Sequence, residues 1–435
     1  MDRKIYILGG VLVLVLILGA AYLVMSPSGP GPSTGKAELV WWKTFEDSEN
    51  VQEFINDYQK VNKNVTITFV KKDAADYEQE LINAIASGNG PDIFSIHNDW
   101  LPKHIDKLAP ASDQALSLRT YKDSFVDVAY TDFVKDNKIY AVPLAMDDLA
   151  LYYNKDILGS AGIFQPPTTW PELVSDVEKI TKVSKPGSFS RSGVALGTSG
   201  NVNRAVDILN LLMLQNGTKF YSDDFSSAQF EADQNVPGSS VSFNPGETAL
   251  AFYTQFANSA KTSYTWNTKS DASVDAFTQG KVAMMLNYAY MAPVIKAKAP
   301  NLNWDVARVP QISDDASKVN FANYWGEAVS KSSKNPGAAW AFLNFISSRE
   351  ELSKYYAKHK LPASRKDILA GQVEDTEIGV FAENALTARS VYKKDANVFE
   401  GIFINMIDSV ILQNFEPKEA LRNAAEQIDL TLRKP

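Results

Sequence analysis

Side chains that can take a proton, attack a carbon or hold a metal are the starting point, and several are scarce here. The 435 residues include no Cys and three His, at positions 97, 104 and 359. Thiol nucleophiles, disulfides, thiolate metal sites and acylation of a cysteine are therefore excluded. A zinc site would have to lean on carboxylates, because no His-Glu-x-x-His occurs. Gly35-Lys36 has Pro30 where a phosphate-cradling loop needs glycine, and Gly197-Thr198-Ser199-Gly200 does not complete a nucleophile elbow. Asp147 and Asp148 are candidates for acid–base work, but adjacent side chains diverge and no further partner accompanies them. No catalytic residue and no cofactor follow from this inventory.

Composition narrows the partners. Lys and Arg number 43 against 51 Asp and Glu, a formal net charge of −8, and a nucleic-acid partner would favour a basic surface instead. With 45% hydrophobic residues, the chain is long enough for two cores.

Arg3 and Lys4 precede an uncharged apolar run, Ile5 to Met25, of 21 residues. A membrane-spanning helix needs about 20 residues, whereas the apolar region of a signal peptide has roughly 7–15. A cleaved signal is the alternative, and the bulky Tyr22-Leu23-Val24-Met25 exit weighs against it. Residues 1–25 are therefore expected to anchor the chain in the cell membrane as a single pass. The basic flank puts the N-terminus in the cytoplasm and the remainder outside. Residues 26–37, rich in Pro, Gly and Ser, read as a flexible tether.

The remaining elements must position any site. Leu39-Val40-Trp41-Trp42 suits a buried strand, and Val51, Phe54, Ile55 and Tyr58 fall on one helix face. Val65–Phe69 alternates as a strand does, Leu81, Ile82 and Ile85 mark a helix ending at Gly88-Asn89-Gly90-Pro91, and Asp92–Ile96 is a further strand. This βαβαβ order predicts a parallel sheet covered by helices. Thr169-Trp170-Pro171-Glu172 has capping-box spacing, and Asn335-Pro336 opens an amphipathic helix through Ala339, Phe342, Leu343 and Ile346. Leu421, Ala424, Ala425 and Ile428 give a C-terminal helix, while residues 185–240 read as polar and turn-rich.

Several segments, in this order, resemble the extracellular solute-binding proteins of ABC importers, in the branch that includes maltose-binding protein. They are Gly90-Pro91-Asp92-Ile93, Tyr140–Pro143 followed by Leu151–Asp156, Pro167–Leu173, Ala276–Met285, Val329–Pro336 leading into Ala339–Leu343, and Leu361–Arg365. Tyr153-Asn154-Lys155-Asp156 and Phe277-x-x-Gly280-Lys281-Val282-Ala283-Met284 are the most specific. The resemblance implies a two-lobe, periplasmic-binding-protein-like α/β fold with an interlobe cleft. Three hinge crossings are expected near Asp147–Ala150, Val306–Pro310 and Leu361–Arg365. Lobe one is then 38–146 plus 311–360, and lobe two 147–310 plus 361–435. It also implies capture of a mono- or oligosaccharide by a monomer that delivers it to ABC permease subunits. A membrane-anchored carbohydrate-active enzyme and a sugar-sensing or adhesive module without transport are the rival readings.

A sugar site needs flat aromatic faces for C–H patches and planar polar groups for hydroxyls. On lobe one the candidates are Trp42 and Lys43 at the end of the first strand, Asn98, Asp99 and Trp100 after the third, and Trp325. Asp99 matches a sugar-contacting carboxylate of the family. Asp147 at the first crossing is a candidate ligand contact, and Tyr290 matches a position that commonly holds a stacking Trp. Arg365 either binds ligand or braces the third crossing. Phe403 is a further candidate, while Tyr152 and Tyr153 are assigned to the sheet core.

Overall fold

The computed structural model describes residues 36–235 and 242–433. The expected anchor over 1–25, and the tether up to residue 35, lie outside the described residues. Among the described residues no helix is long and apolar enough to cross a membrane.

The strands sort into two five-stranded sheets, each with its own core. In the first, the order is Val65–Lys71, Ala37–Lys43, Ile93–His97, Trp325–Val329, Ala141–Pro143. Its three N-terminal strands are parallel, as the βαβαβ reading predicts, and Trp325–Val329 enters antiparallel between Ile93–His97 and Ala141–Pro143. Helix Ser48–Val61 covers this sheet with Val51, Phe54, Ile55 and Tyr58, the four residues that the 3.6-residue spacing picks out. The helix Pro336–Ile346 adds Ala339, Trp340, Phe342, Leu343 and Ile346 to the same core.

The second sheet runs Trp304–Ala307, Ala150–Asn154, Val282–Asn287, Ser188–Val194, Lys182–Lys185. All six residues of Val282–Asn287 are buried, as befits a central strand covered on both faces. Helix Trp170–Ile180 starts at the capping box: Glu172 N–H donates to Thr169 Oγ1 (3.3 Å), and Thr169 N–H donates to Glu172 Oε2 (3.3 Å). Inside the stretch read as polar turns lies a helix, Ala205–Gln215, whose residues Ala205 through Met213 are all buried. A helix buried on every side shows no apolar-against-polar stripe, which is why periodicity passes it over. Helix Pro417–Leu432 buries Leu421, Ala424, Ala425 and Ile428 as expected.

Between the cores, three chain segments lie side by side. Leu149 N–H donates to Phe321 O (3.1 Å), Asn323 N–H to Asp147 O (2.9 Å), and Ala322 N–H to Arg389 O (2.9 Å). Asn320–Phe321 also pairs in parallel with Ala388–Arg389. The first of these segments is the predicted one, and the other two sit further along the chain than 306–310 and 361–365. The reasons are local. Trp304–Ala307 is held in the second sheet by its ladder to Ala150–Asn154. The segment at 361–365 is tied to the first unit, where Met146 N–H donates to Pro362 O (2.9 Å) and Ser364 Oγ to Pro143 O (2.7 Å). Ala363 and Leu369 pack in the first core, Phe381 and Val391 in the second.

Candidate functional site

The strands Ala37–Lys43 and Ile93–His97 end at the same edge of the first sheet where Trp325 begins its antiparallel strand opposite His97. That register gathers aromatic rings. Trp325 meets Trp100 at 5.1 Å between centroids, His97 at 5.2 Å, Phe45 at 5.7 Å and Tyr77 at 6.0 Å, all edge to face. Gly326, next in the strand, allows close packing on Phe133: a Cβ there would come within 2.6 Å of that ring. Trp100 and Trp325 remain partly exposed, so part of each ring faces outward. Trp42 points away from this cluster toward Lys72, whose Nζ lies 3.7 Å from the centre of its ring. Its neighbour Trp41 is fully buried, as opposite faces of a strand require.

The polar candidates on this side are already engaged. Lys43 Nζ donates to Glu327 Oε1 (2.6 Å) inside the sheet, and Trp41 Nε1 and Ser95 Oγ donate to the same carboxylate at 2.7 and 3.0 Å. Burial works against the Lys43 charge, but Glu327 and Glu46 more than offset it and raise its pKa above the usual lysine value. Asn98 Nδ2 donates to Asp132 (3.0 Å), which also accepts from Tyr324 and Ser390. Burial pushes Asp132 up to about 6 despite those bonds. Asp99 lies between His97 Nδ1 (2.5 Å) and Lys393 Nζ (2.9 Å). Burial would raise its pKa, but the two cations hold it well below the ordinary carboxylate range, and His97 is raised in return. Lys393 follows Val391 and Tyr392, which pack against the second core, so this buried ion pair joins the two units. Lys103 with Asp395 (3.0 Å) is a second, more exposed join.

The facing edge of the second sheet carries different chemistry. Ala150 pairs with Asn287, so Asp147 and the turn Tyr288–Tyr290 emerge together. Asp147 accepts backbone N–H groups from Ala289 (2.6 Å), Tyr290 (3.2 Å) and Asp148 (2.9 Å). Burial nevertheless pushes Asp147 up to about 7. Asp148 turns the other way, accepting from Asn320 Nδ2 (3.1 Å), and burial followed by the Asp147 charge raises it well above the ordinary value. The Tyr290 ring is exposed and stacks on Tyr288 at 6.1 Å. Arg204 donates to the Tyr290 hydroxyl from Nε (3.1 Å) and Nη2 (2.9 Å). Tyr288 OH donates to Asp207 (2.9 Å).

The two edges meet at the middle crossing. Asn323 bonds to the Asp147 carbonyl, and two residues later comes Trp325. Trp100 lies against Trp325, beside the engaged Lys43, Asn98 and Asp99, and Tyr290 lies against Asp147, with the Asn323–Asp147 bond linking the two edges. Arg365 is elsewhere: it pairs with Asp367 (2.9 Å), donates to Ser347 O (3.2 Å) and lies over the Phe125 ring. Phe403 is fully buried and stacked on Phe399 at 4.1 Å. Sequence reasoning passed over Phe45, Arg204 and Lys393. Only Phe45 carried a signal, being an aromatic in the loop directly after a strand end.

The model of the family described as bacterial extracellular solute-binding protein matches residues 42–352. The maltodextrin-binding protein of Bacillus subtilis is 24% identical over 369 residues, covering 80% of each chain. The galactooligosaccharide-binding protein of the same species is 21% identical and covers 94% of each. Among solved structures, the cyclic alpha-maltosyl-1,6-maltose binding protein from Arthrobacter globiformis superposes with a TM-score of 0.76 at 19% identity, over 92% of this chain and all of the other. With its two sheets, three crossings and a family match over most of its length, the chain belongs to the bacterial extracellular solute-binding proteins.

Proposed function

We propose that this protein captures a mono- or oligosaccharide between its two lobes and delivers it to the permease of an ABC importer, acting as a monomer anchored by residues 1–25. The observation that carries the reading is the meeting of two complementary edges at Asn323. One offers the rings of Trp100 and Trp325, and the other the Asp147 carboxylate beside Tyr290. Pyranose C–H faces suit the rings, and hydroxyls suit the carboxylate. Relatives named for maltodextrin and galactooligosaccharide binding support the ligand class. Lys43, Asn98 and Asp99 act here as positioning residues, Trp42 as sheet packing, and Arg365 as a brace within the first unit. Closure follows if ligand bridges both lobes, because only the closed form then makes both sets of contacts. Glycoside hydrolysis would need two carboxylates facing each other across the ligand, whereas Asp147 and Asp148 are adjacent and bond in opposite directions.

A screen of mono- and oligosaccharides against residues 36–435 tests this. A bound sugar should raise the unfolding midpoint and lower the radius of gyration in small-angle scattering. If no sugar shifts the midpoint, the ligand class is wrong. Binding without compaction would point to a rigid pocket and the adhesive reading.

A further inference from the structure

We propose that Phe45 is a specificity-determining ligand contact, an aromatic face presented to one sugar ring at the mouth of the cleft. Phe45 follows the Lys43-Thr44 end of the first strand and is 65% exposed, an unusual state for a large apolar ring. Its backbone is equally unusual, with φ at +64°. The Glu46 N–H donates to Thr44 O (2.8 Å), which makes Phe45 the central residue of a γ-turn with positive φ, the rare and strained form. A bulky residue stays there only where its surroundings impose the conformation. They do so from both sides: Thr44 is buried, Lys43 Nζ reaches Glu46 Oε1 at 3.5 Å, and Lys72 N–H holds Lys43 O at 2.8 Å. The strain is not repaid by burial of the ring. Among the described residues the one ring neighbour of Phe45 is Trp325, touched edge to face.

Another exposed phenylalanine at positive φ sharpens the point. Phe225, at +57°, rests its ring on Tyr392 at 4.6 Å and Tyr221 at 5.9 Å, so packing accounts for it. Phe45 lacks such cover. What the turn achieves is placement: the ring stands beside Trp325, at the edge where the first sheet faces the cleft. Two rings set edge to face offer a stepped apolar surface, suited to successive sugar units rather than to one. The inference rests on the sugar-binding reading and assigns this residue the choice among oligosaccharides.

The test uses the detergent-solubilised full chain, with maltotetraose and a galacto-oligosaccharide as probes. Phe45→Gly removes the ring and suits positive φ, so its unfolding midpoint should equal or exceed that of the parent. Affinity for the better probe should fall roughly tenfold, and the preference between probes should narrow. Phe45→Tyr should keep both within about twofold, since ring area is retained. Phe45→Asn, which also tolerates the turn, serves if the glycine variant folds poorly. Parent-like affinity and preference in Phe45→Gly, alongside weakened binding in Trp325→Ala, would overturn the role of Phe45 and leave the sugar reading intact. A lower midpoint with unchanged affinity in both the glycine and asparagine variants would make Phe45 a structural residue. If the parent binds neither probe, nor any other sugar, the reading and this proposal fail together.

Discussion

The two facing sheet edges use charge in opposite ways. On the first unit, Lys43, Asn98 and Asp99 have the polarity of ligand contacts, yet each is buried against a protein partner. The partly exposed side chains on that edge include the aromatic Trp100 and Trp325. On the second, Asp147 receives only backbone N–H groups, and Tyr290 stands exposed under a guanidinium. Charged residues near a cleft therefore divide into those that fix its walls and those that can reach into it. Residue type does not separate the two. Partners and burial do.

The largest expected effect lies on the first edge. Glu327→Ala strips Trp41, Ser95 and Lys43 of their common acceptor and leaves the buried ammonium with only Glu46, at 3.5 Å. Breaking a buried pair in this way costs about 3–5 kcal/mol. Urea unfolding should show that loss, while the protein that remains folded keeps its affinity. Weakened binding with little loss of stability would instead place Lys43 in the ligand site.

Next comes the join between the units. Lys393→Met leaves Asp99 with His97 alone, for an expected loss of about 2–3 kcal/mol. The double variant Asp99→Asn/Lys393→Met should lose less than the sum of the singles, because each single strands a partner. Asp99 is held below its ordinary value of 3.8, so its contribution is complete above that pH and is lost only as acid approaches the depressed folded value. Additive losses would mean that the two side chains do not interact in solution.

A third comparison concerns affinity. Trp325→Ala should weaken sugar binding by roughly ten- to a hundredfold, since a central aromatic contact is worth about 1.5–3 kcal/mol. Tyr290→Phe keeps the ring and removes only the hydroxyl that Arg204 holds, so a loss of about two- to fivefold is expected. The reverse ranking would make the second edge the dominant wall. Isothermal calorimetry at one pH decides between them.

How much of this could be read from sequence depended on which signal each residue carried. Val51, Phe54, Ile55 and Tyr58 declared their helix because one face is apolar and the other polar. The helix Ala205–Gln215 carries no such contrast, and Arg204 at its start was missed with it. The crossings were placed by the resemblance alone, and the first of them falls where the chain leaves Asp147 for the strand that starts at Ala150. The other two were displaced along the chain, because whether 304–307 stays in the second sheet is decided by a ladder to a partner some 150 residues away. Lys393 illustrates the same limit at the site. Nothing local marks it as the counter-ion of Asp99, and only the folded chain brings the two together.

The smallest effect tests the second edge most directly, through pH. Burial raises Asp147 from 3.8 to about 7, so near neutrality it is partly protonated when the cleft holds no ligand. Between those two values the folded state binds more protons than the unfolded chain, and stability therefore falls as pH rises through that window. Asp132, raised to about 6, adds a decline of the same sign, so Asp147→Asn should reduce the slope without abolishing it. Ligand hydroxyls donating to Asp147 favour its ionised form, so affinity should climb by about three- to fivefold between pH 5.5 and 8. Lys43, Asp99 and Lys393 are held in their charged forms by their partners and contribute no step there. His97, whose pKa is raised by Asp99 against the effect of burial, adds a stability decline of the same sense as Asp147 and Asp132 as it loses its proton. Affinity measured across this range for the parent and for Asp147→Asn separates the two, since only the parent should show the rise. A variant with the parent's full pH dependence would remove Asp147 from the site and leave the second wall to Tyr290 and Arg204.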